Sequence, residues 1–184
     1  MAAAGVAAVL ALVIGAAVGR SIIPSPDDQR RRVEPVRFSD PAAGIALSYP
    51  AGWSRLQASD PEVRLLVAAG PSASLSVRVS QTEIESVTPQ SLPVVKQLTD
   101  ELIAADQRAR QLSPPTAVSI GGLPGYRYRY AYTAPDGSTG AHLHYFLFKP
   151  RRLIQLVFQA VPATRLEALE PTFERIAASL RSTG

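Results

Sequence analysis

Hydrophobic positions fall into three regimes along the 184 residues. From Met1 to Gly19 no side chain is charged, and Val6, Val9, Leu10, Leu12, Val13, Ile14 and Val18 supply most of the apolar surface. As a helix this stretch would be about 28 Å long, close to the hydrocarbon thickness of a bilayer. Residues 1–20 are therefore expected to form a single transmembrane anchor or signal-anchor. A cleaved signal peptide is the competing reading. It fits less well, because the apolar run exceeds the usual core of roughly 7 to 15 residues and no basic region precedes it. Residues 21–35 hold Pro24, Pro26 and Pro35 among six charges without periodicity, and read as a juxtamembrane linker.

From Val36 to Gly184 the pattern switches between the period of a strand and that of a helix, as expected for one α+β domain over residues 36–184. Ile45, Leu47 and Tyr49 alternate and stop at Pro50-Ala51-Gly52, a turn that presents Trp53. Val63 to Ala69 and Leu75 to Gln81 predict two strands joined across Gly70-Pro71-Ser72. Thr88-Pro89 resembles a helix start, and Val94, Val95, Leu98, Leu102 and Ile103 recur at helical spacing up to a break before Pro114-Pro115. Tyr126 to Tyr132 alternates tyrosine with Arg127, Arg129 and Ala131; after Pro135-Asp136-Gly137 the run His142 to Phe148 completes a hairpin. Alternation places the four tyrosines on one face and both arginines on the other. Ile154 to Val161 reads as a central strand with Gln155 and Gln159 on its less buried side. Leu166, Leu169, Phe173, Ile176, Ala177 and Leu180 make the apolar stripe of a closing helix, leaving Glu167, Glu170 and Glu174 as a solvated face. The sum is an antiparallel sheet of about six or seven strands flanked by two helices.

Composition narrows the function classes. Without cysteine there is no disulfide framework, thiolate zinc site, cysteine nucleophile or lipidated cysteine. Four of the nineteen basic and three of the fifteen acidic residues precede Val36, leaving fifteen against twelve in the domain. That balance is too weak to call for nucleic acid. Arginine outnumbers lysine seventeen to two, a bias typical of GC-rich bacterial genomes. Arg20 and Arg30 to Arg32 follow the apolar segment, and by the positive-inside rule they would hold the domain in the cytoplasm. Met1 to Ala4 read as the middle of a hydrophobic segment, and the expectation carried forward is a single-pass cell-membrane protein with its domain extracytoplasmic.

Catalytic patterns are weak. No GxSxG elbow or P-loop is present, and paired carboxylates suited to glycosidase chemistry are not evident. His142 and His144, the only histidines, share a strand face but need a third ligand to hold a metal. With a two-residue turn, His142 would face Ala131 and His144 would face Arg129. Arg127, Arg129, His142 and His144 would then line a shallow cationic patch for a carboxylate or phosphate, the one ligand-binding candidate, with a solvated sheet face as the plainer alternative. No cofactor or metal is called for.

Phe38-x-Asp40, then Gly44-Ile45-x-Leu47-x-Tyr49-Pro50-x-Gly52-Trp53, then Gly122-Leu123-Pro124-Gly125-Tyr126, and finally Pro171-x-Phe173-x-x-Ile176-x-x-Ser179-Leu180 together resemble the Mog1/PsbP-like superfamily over about residues 36 to 182. The resemblance implies an α/β/α sandwich around an antiparallel sheet. Members include extrinsic photosystem II subunits, a Ran-binding nuclear import factor and actinobacterial cell-envelope proteins, which implies accessory binding rather than catalysis. The apolar N-terminus is most similar to the envelope group, although the lipobox cysteine of its lipidated members is missing. The function expected is a membrane-anchored, non-catalytic binding or accessory domain of the bacterial cell envelope with an unidentified protein partner. The alternative is a carrier of an apolar or lipid ligand, in a sheet-helix cavity lined by Tyr128, Tyr130 and Phe158.

Overall fold

Alternating stretches become strands wherever their apolar faces find a layer to cover them. The computed structural model describes residues 34–183, apart from residues 89, 106, 107 and 135. In chain order the elements are β1 (Val36–Asp40), β2 (Ile45–Tyr49), β3 (Ser54–Arg55), β4 (Val63–Ala69), β5 (Ala73–Gln81), α1 (Leu92–Ala104), β6 (Ala109–Ile120), β7 (Leu123–Thr133), β8 (Thr139–Lys149), β9 (Arg152–Ala160), α2 (Leu166–Ala178) and β10 (Arg181–Ser182). A seven-stranded sheet runs β3-β4-β5-β9-β8-β7-β6, and a three-stranded sheet runs β1-β2-β10. All pairings are antiparallel. The seven-stranded sheet and two helices agree with the expected architecture, and the small second sheet is additional.

Two cores lie on opposite faces of the large sheet. On one face, α2 and the small sheet close over Leu75, Val77, Leu143, Ile154 and Phe158, with Phe158 and Phe173 stacked 5.0 Å apart and Trp53 edge-on to Phe173 at 6.3 Å. On the other, α1 places Leu92 and Val95 over Tyr126, Tyr128, Phe146 and Phe148. Each such aromatic contributes roughly 1.5–3 kcal/mol by leaving water.

Local chemistry explains the boundaries. Thr88 and Ser91 exchange bonds ahead of α1: the Ser91 N–H donates to Thr88 Oγ1 (3.3 Å) and the Thr88 N–H donates to Ser91 Oγ (2.9 Å). This reciprocal exchange closes the turn leading into the helix, where the Leu92 N–H bonds back to Thr88 O at 2.9 Å, with Pro93 in the first helical turn. Gly121 and Gly122 both have positive φ, as a two-residue hairpin turn between β6 and β7 requires. β6 was not expected, because Pro114-Pro115 reads as a break. The strand tolerates them as the outermost of the sheet, with register shifts on both sides of Ser113.

The expected anchor (Val6, Val9, Leu10, Leu12, Val13, Ile14 and Val18), the linker, Pro89 and Pro135 lie outside the described residues. Among the described residues no helix is long and apolar enough to cross a membrane.

Candidate functional site

Register decides what the β7–β8 hairpin displays. Thr133 pairs with Thr139, so five residues, 134–138, connect the strands instead of two. An odd connection moves the pairing by one position, and in a strand that transfers every side chain to the other face. His142 therefore faces Tyr130, and His144 faces Tyr128. The four residues of the expected cationic patch are not brought together: both histidines join the tyrosine face, and Arg127 and Arg129 stay on the α2 face. Arg127 bonds Glu174 at 2.5 Å and Arg129 bonds Glu170 at 3.1 Å, so those glutamates form an ion-pair network rather than a purely solvated face. Phe158 also lies on the α2 side. Tyr128 and Tyr130 pack with α1's cluster. The three side chains expected to line one apolar cavity do not share one.

On the histidine side, α1 covers only part of the sheet. Beyond it is a cleft whose floor is the outward face of β5, β9 and β8 and whose wall is the segment Gln57 to Asp60. The cavity measures about 180 Å³, and a second of about 240 Å³ continues beneath α1 against Leu98, Leu102 and Ile103. Arg78, Tyr130, His144 and Gln155 border both chambers.

Strand alternation sets polar side chains on the floor, with Val157 among them. Ser74 pairs with Gln159, Ser76 with Val157 and Arg78 with Gln155; across β9, Gln159 pairs with His142 and Val157 with His144. These positions share one face, while Leu75, Val77 and Val79 point into the other core. His142 is 4% exposed and His144 6%. Burial, then the charge of His142, push His144 down to about 3, with the bond to Gln155 acting the other way. It is therefore neutral. His144 Nε2 is 3.1 Å from Gln155 Oε1, and its Nδ1 is 3.2 Å from the Tyr130 hydroxyl. The assignment that satisfies both has Nε2–H donating to Gln155 and Tyr130 donating to Nδ1. Tyr130 then accepts from Nδ1–H of His142 at 2.8 Å. With both ring nitrogens engaged, His144 is a structural link and not a free base.

Arg78 rises from β5 and fixes the wall. Its Nη1 bonds Asp60 at 2.7 Å and its Nη2 bonds Glu62 at 2.6 Å, while Asp60 Oδ1 also accepts from the Glu62 N–H. Arg78 Nε is buried and without an acceptor among the described residues. Gln159 Nε2 donates to Tyr132 at 2.6 Å. Under α1, Tyr128 donates to Asp100 at 2.7 Å and touches Thr99 Oγ1, tying the helix to the sheet. Burial raises Tyr128 far above the ordinary phenol range, while Thr99 opposes the shift and Asp100 adds to it. No group of three or more histidines and carboxylates among the described residues is arranged to hold a metal.

Sequence reasoning passed over Ser74, Ser76, Arg78, Asp60 and Glu62. The signal was present in β5, where Leu-Ser-Val-Arg-Val-Ser puts three polar groups on one face of a strand flanked by others. It marked a polar floor only once β9 was seen to set Gln155 and Gln159 beside it.

Comparison with other proteins agrees with this fold. Comparison with curated protein sequences finds no match. Among solved structures, the chain is similar to CyanoP, the cyanobacterial PsbP of Synechocystis sp. PCC 6803, with a TM-score of 0.62 at 19% identity over 92% of this chain and 98% of that one. It is similar to LpqN of Mycobacterium tuberculosis, involved in cell envelope biogenesis, with a TM-score of 0.62 at 16% identity over 88% and 98%. The Saccharomyces cerevisiae Ran-binding protein Mog1p aligns with a TM-score of 0.50 at 8% identity over 82% and 96%. These identities establish the fold, which is Mog1/PsbP-like. The PsbP family model itself matches residues 35–182, most of the chain, and this chain belongs to the PsbP family.

Proposed function

We propose that the protein is a membrane-anchored, non-catalytic binding or accessory domain of the bacterial cell envelope, and that it engages its partner through the cleft on the histidine face. The observation that carries this reading is the cleft itself: an inner-strand floor of buried polar side chains left open between α1 and residues 57–60. A sheet face with no binding role would more simply be covered by an apolar layer, as the opposite face is. Support for the anchor comes from the apolar run at residues 1–20, and support for the envelope from LpqN, a neighbour in fold that is involved in cell envelope biogenesis. That Mog1p is Ran-binding makes a protein partner for this fold reasonable.

Photo-crosslinking in intact cells tests the assignment. A photoreactive residue at Gln57, on the lip of the cleft, is expected to trap a discrete species that the same residue at Arg165, beyond the α2 face, does not. Equal or absent adducts at both positions would remove the cleft from the partner interface. External protease on the same cells should digest the domain before lysis; protection until lysis would place it in the cytoplasm, as the arginines after the apolar run suggest.

The carrier of an apolar ligand is the second reading. It is favoured by the chamber under α1, where Leu98, Leu102, Ile103 and Leu153 give an apolar lining. Extraction of purified protein with organic solvent should then release a stoichiometric apolar molecule, and a clean extract counts against it.

A further inference from the structure

The chemistry of the first chamber narrows what it can hold, given that the cleft is the binding site. We infer that it takes an uncharged, hydroxyl-rich ligand, a sugar ring or similar polyol, by hydrogen bonds from the side chains of its floor.

Charge is the first argument. Arg78 is the only arginine or lysine among the described residues lining this chamber, and both its terminal nitrogens are taken by Asp60 and Glu62. An anion would meet the Asp60 carboxylate on the wall, beside an arginine already spent on two carboxylates. A cation would find those same carboxylates already committed to Arg78. His144 contributes no charge.

Unspent hydrogen-bonding capacity is the second. Ser74 is 5% exposed, lines the chamber and has no side-chain partner among the described residues. The Ser76 hydroxyl and the amide nitrogen of Gln155 likewise border the chamber without a protein partner among those residues. A hydroxyl donates and accepts, an amide nitrogen donates, and these groups stand on neighbouring strands β5 and β9. A ligand rich in hydroxyls satisfies them together, whereas an apolar one leaves them buried and unpaired.

The main chain is the third. β5, β9 and β8 are inner strands of the sheet, and their backbone groups are used in pairing. An extended peptide has no strand edge here to add to, so recognition falls to side chains. The space of about 180 Å³ suits a ring-sized group.

The chain's two histidines both border this chamber, and His142 does not line the one under α1, so histidine-selective isotope labelling reports on it, with His142 as the chamber's own probe. The full chain would be held in a polyoxyethylene detergent, which carries no sugar, and titrated with glucose and maltose, then with glucosamine and glucose 6-phosphate. A neutral sugar is expected to move both sets of ring signals saturably. The charged analogues should bind no tighter, and Ser74→Val with Ser76→Val should weaken the neutral sugar by at least about tenfold. Ser76→Ala alone, a milder change, should weaken it in the same direction if the double variant does not fold. Ring signals unmoved by neutral sugars up to about 100 mM, or a charged analogue binding about tenfold tighter, would overturn the inference. In the second case the cleft stands as a site and only its ligand class falls. In the first, the crosslinking at Gln57 still judges the cleft independently.

Discussion

His144 pays for its place on the cleft floor with its charge. Water would leave an imidazole half protonated near pH 6.5, and burial holds this one at about 3. Tyr130 and Gln155 bind the neutral ring, but they do not offset the lost hydration of its cation. The sign of the consequence follows. The unfolded chain takes up a proton here below about pH 6.5 and the folded chain does not until about pH 3, so stability from this group is complete above pH 6.5 and is lost as pH falls between those values. The slope from one such group is about 1.4 kcal/mol per pH unit. His144→Gln keeps a donor and an acceptor but cannot titrate. Urea unfolding midpoints measured from pH 7 to pH 4 should therefore fall less steeply for the variant. Parallel curves would mean that His144 titrates normally in the fold and that the neutral assignment of its network is mistaken. His142, within reach of the same hydroxyl, is left in place so that only one titration is removed.

Between residues and fold, the hairpin loop carries much information. Which residues of β7 share a face was legible from alternation alone, and Tyr126, Tyr128 and Tyr130 do lie together under α1. Which residues of β8 join them was not, because that depends on the parity of the connection, and Pro135-Asp136-Gly137 suggests a short turn without stating its length. The backbone bond from Ala134 N–H to Ser138 O (2.8 Å) closes the longer loop. The same register frees Arg127 and Arg129 for α2, whose glutamates looked solvated only because no partner was near in sequence. Glu170 is 16% exposed between the two arginines, at 3.8 Å from Arg127 and 3.1 Å from Arg129. A double-mutant cycle with Arg129→Met and Glu170→Gln should give a coupling of about 1 kcal/mol. The same cycle on the solvent-exposed Arg151–Glu85 pair, at 2.7 Å, should give about 0–0.5 kcal/mol. Similar couplings would show that partial burial against the sheet adds nothing to the α2 pair.

Across the whole molecule, what the sequence made legible was a matter of locality. The Tyr49-Pro50-x-Gly52-Trp53 turn and the Phe173 and Ile176 stripe identified the architecture because each motif is built by neighbours in the chain. The small sheet and the cleft were hidden, since they form from segments far apart: β10 closes on β2, and residues 57–60 are tied to β5 through Arg78. The large sheet then separates two cores that share no side chains, one around Phe158 and Phe173 and one around Tyr128, Phe146 and Val95. A central sheet transmits the cooperativity of unfolding, but van der Waals contact does not cross it, so substitutions on its two faces should add. Phe173→Ala should cost about 3–5 kcal/mol, and Val95→Ala, a smaller truncation near the edge of its cluster, about 1–2 kcal/mol. Trp53, the only tryptophan, packs edge-on to Phe173 and reports unfolding by fluorescence; Val95→Ala together with the milder Phe173→Leu keeps the double variant folded. Free energies that add within about 0.5 kcal/mol would fit two independent cores. A coupling above about 1 kcal/mol would mean that the sheet deforms as one body when either face is hollowed, and a ligand bound in the cleft would then alter the packing of α2 on the far side.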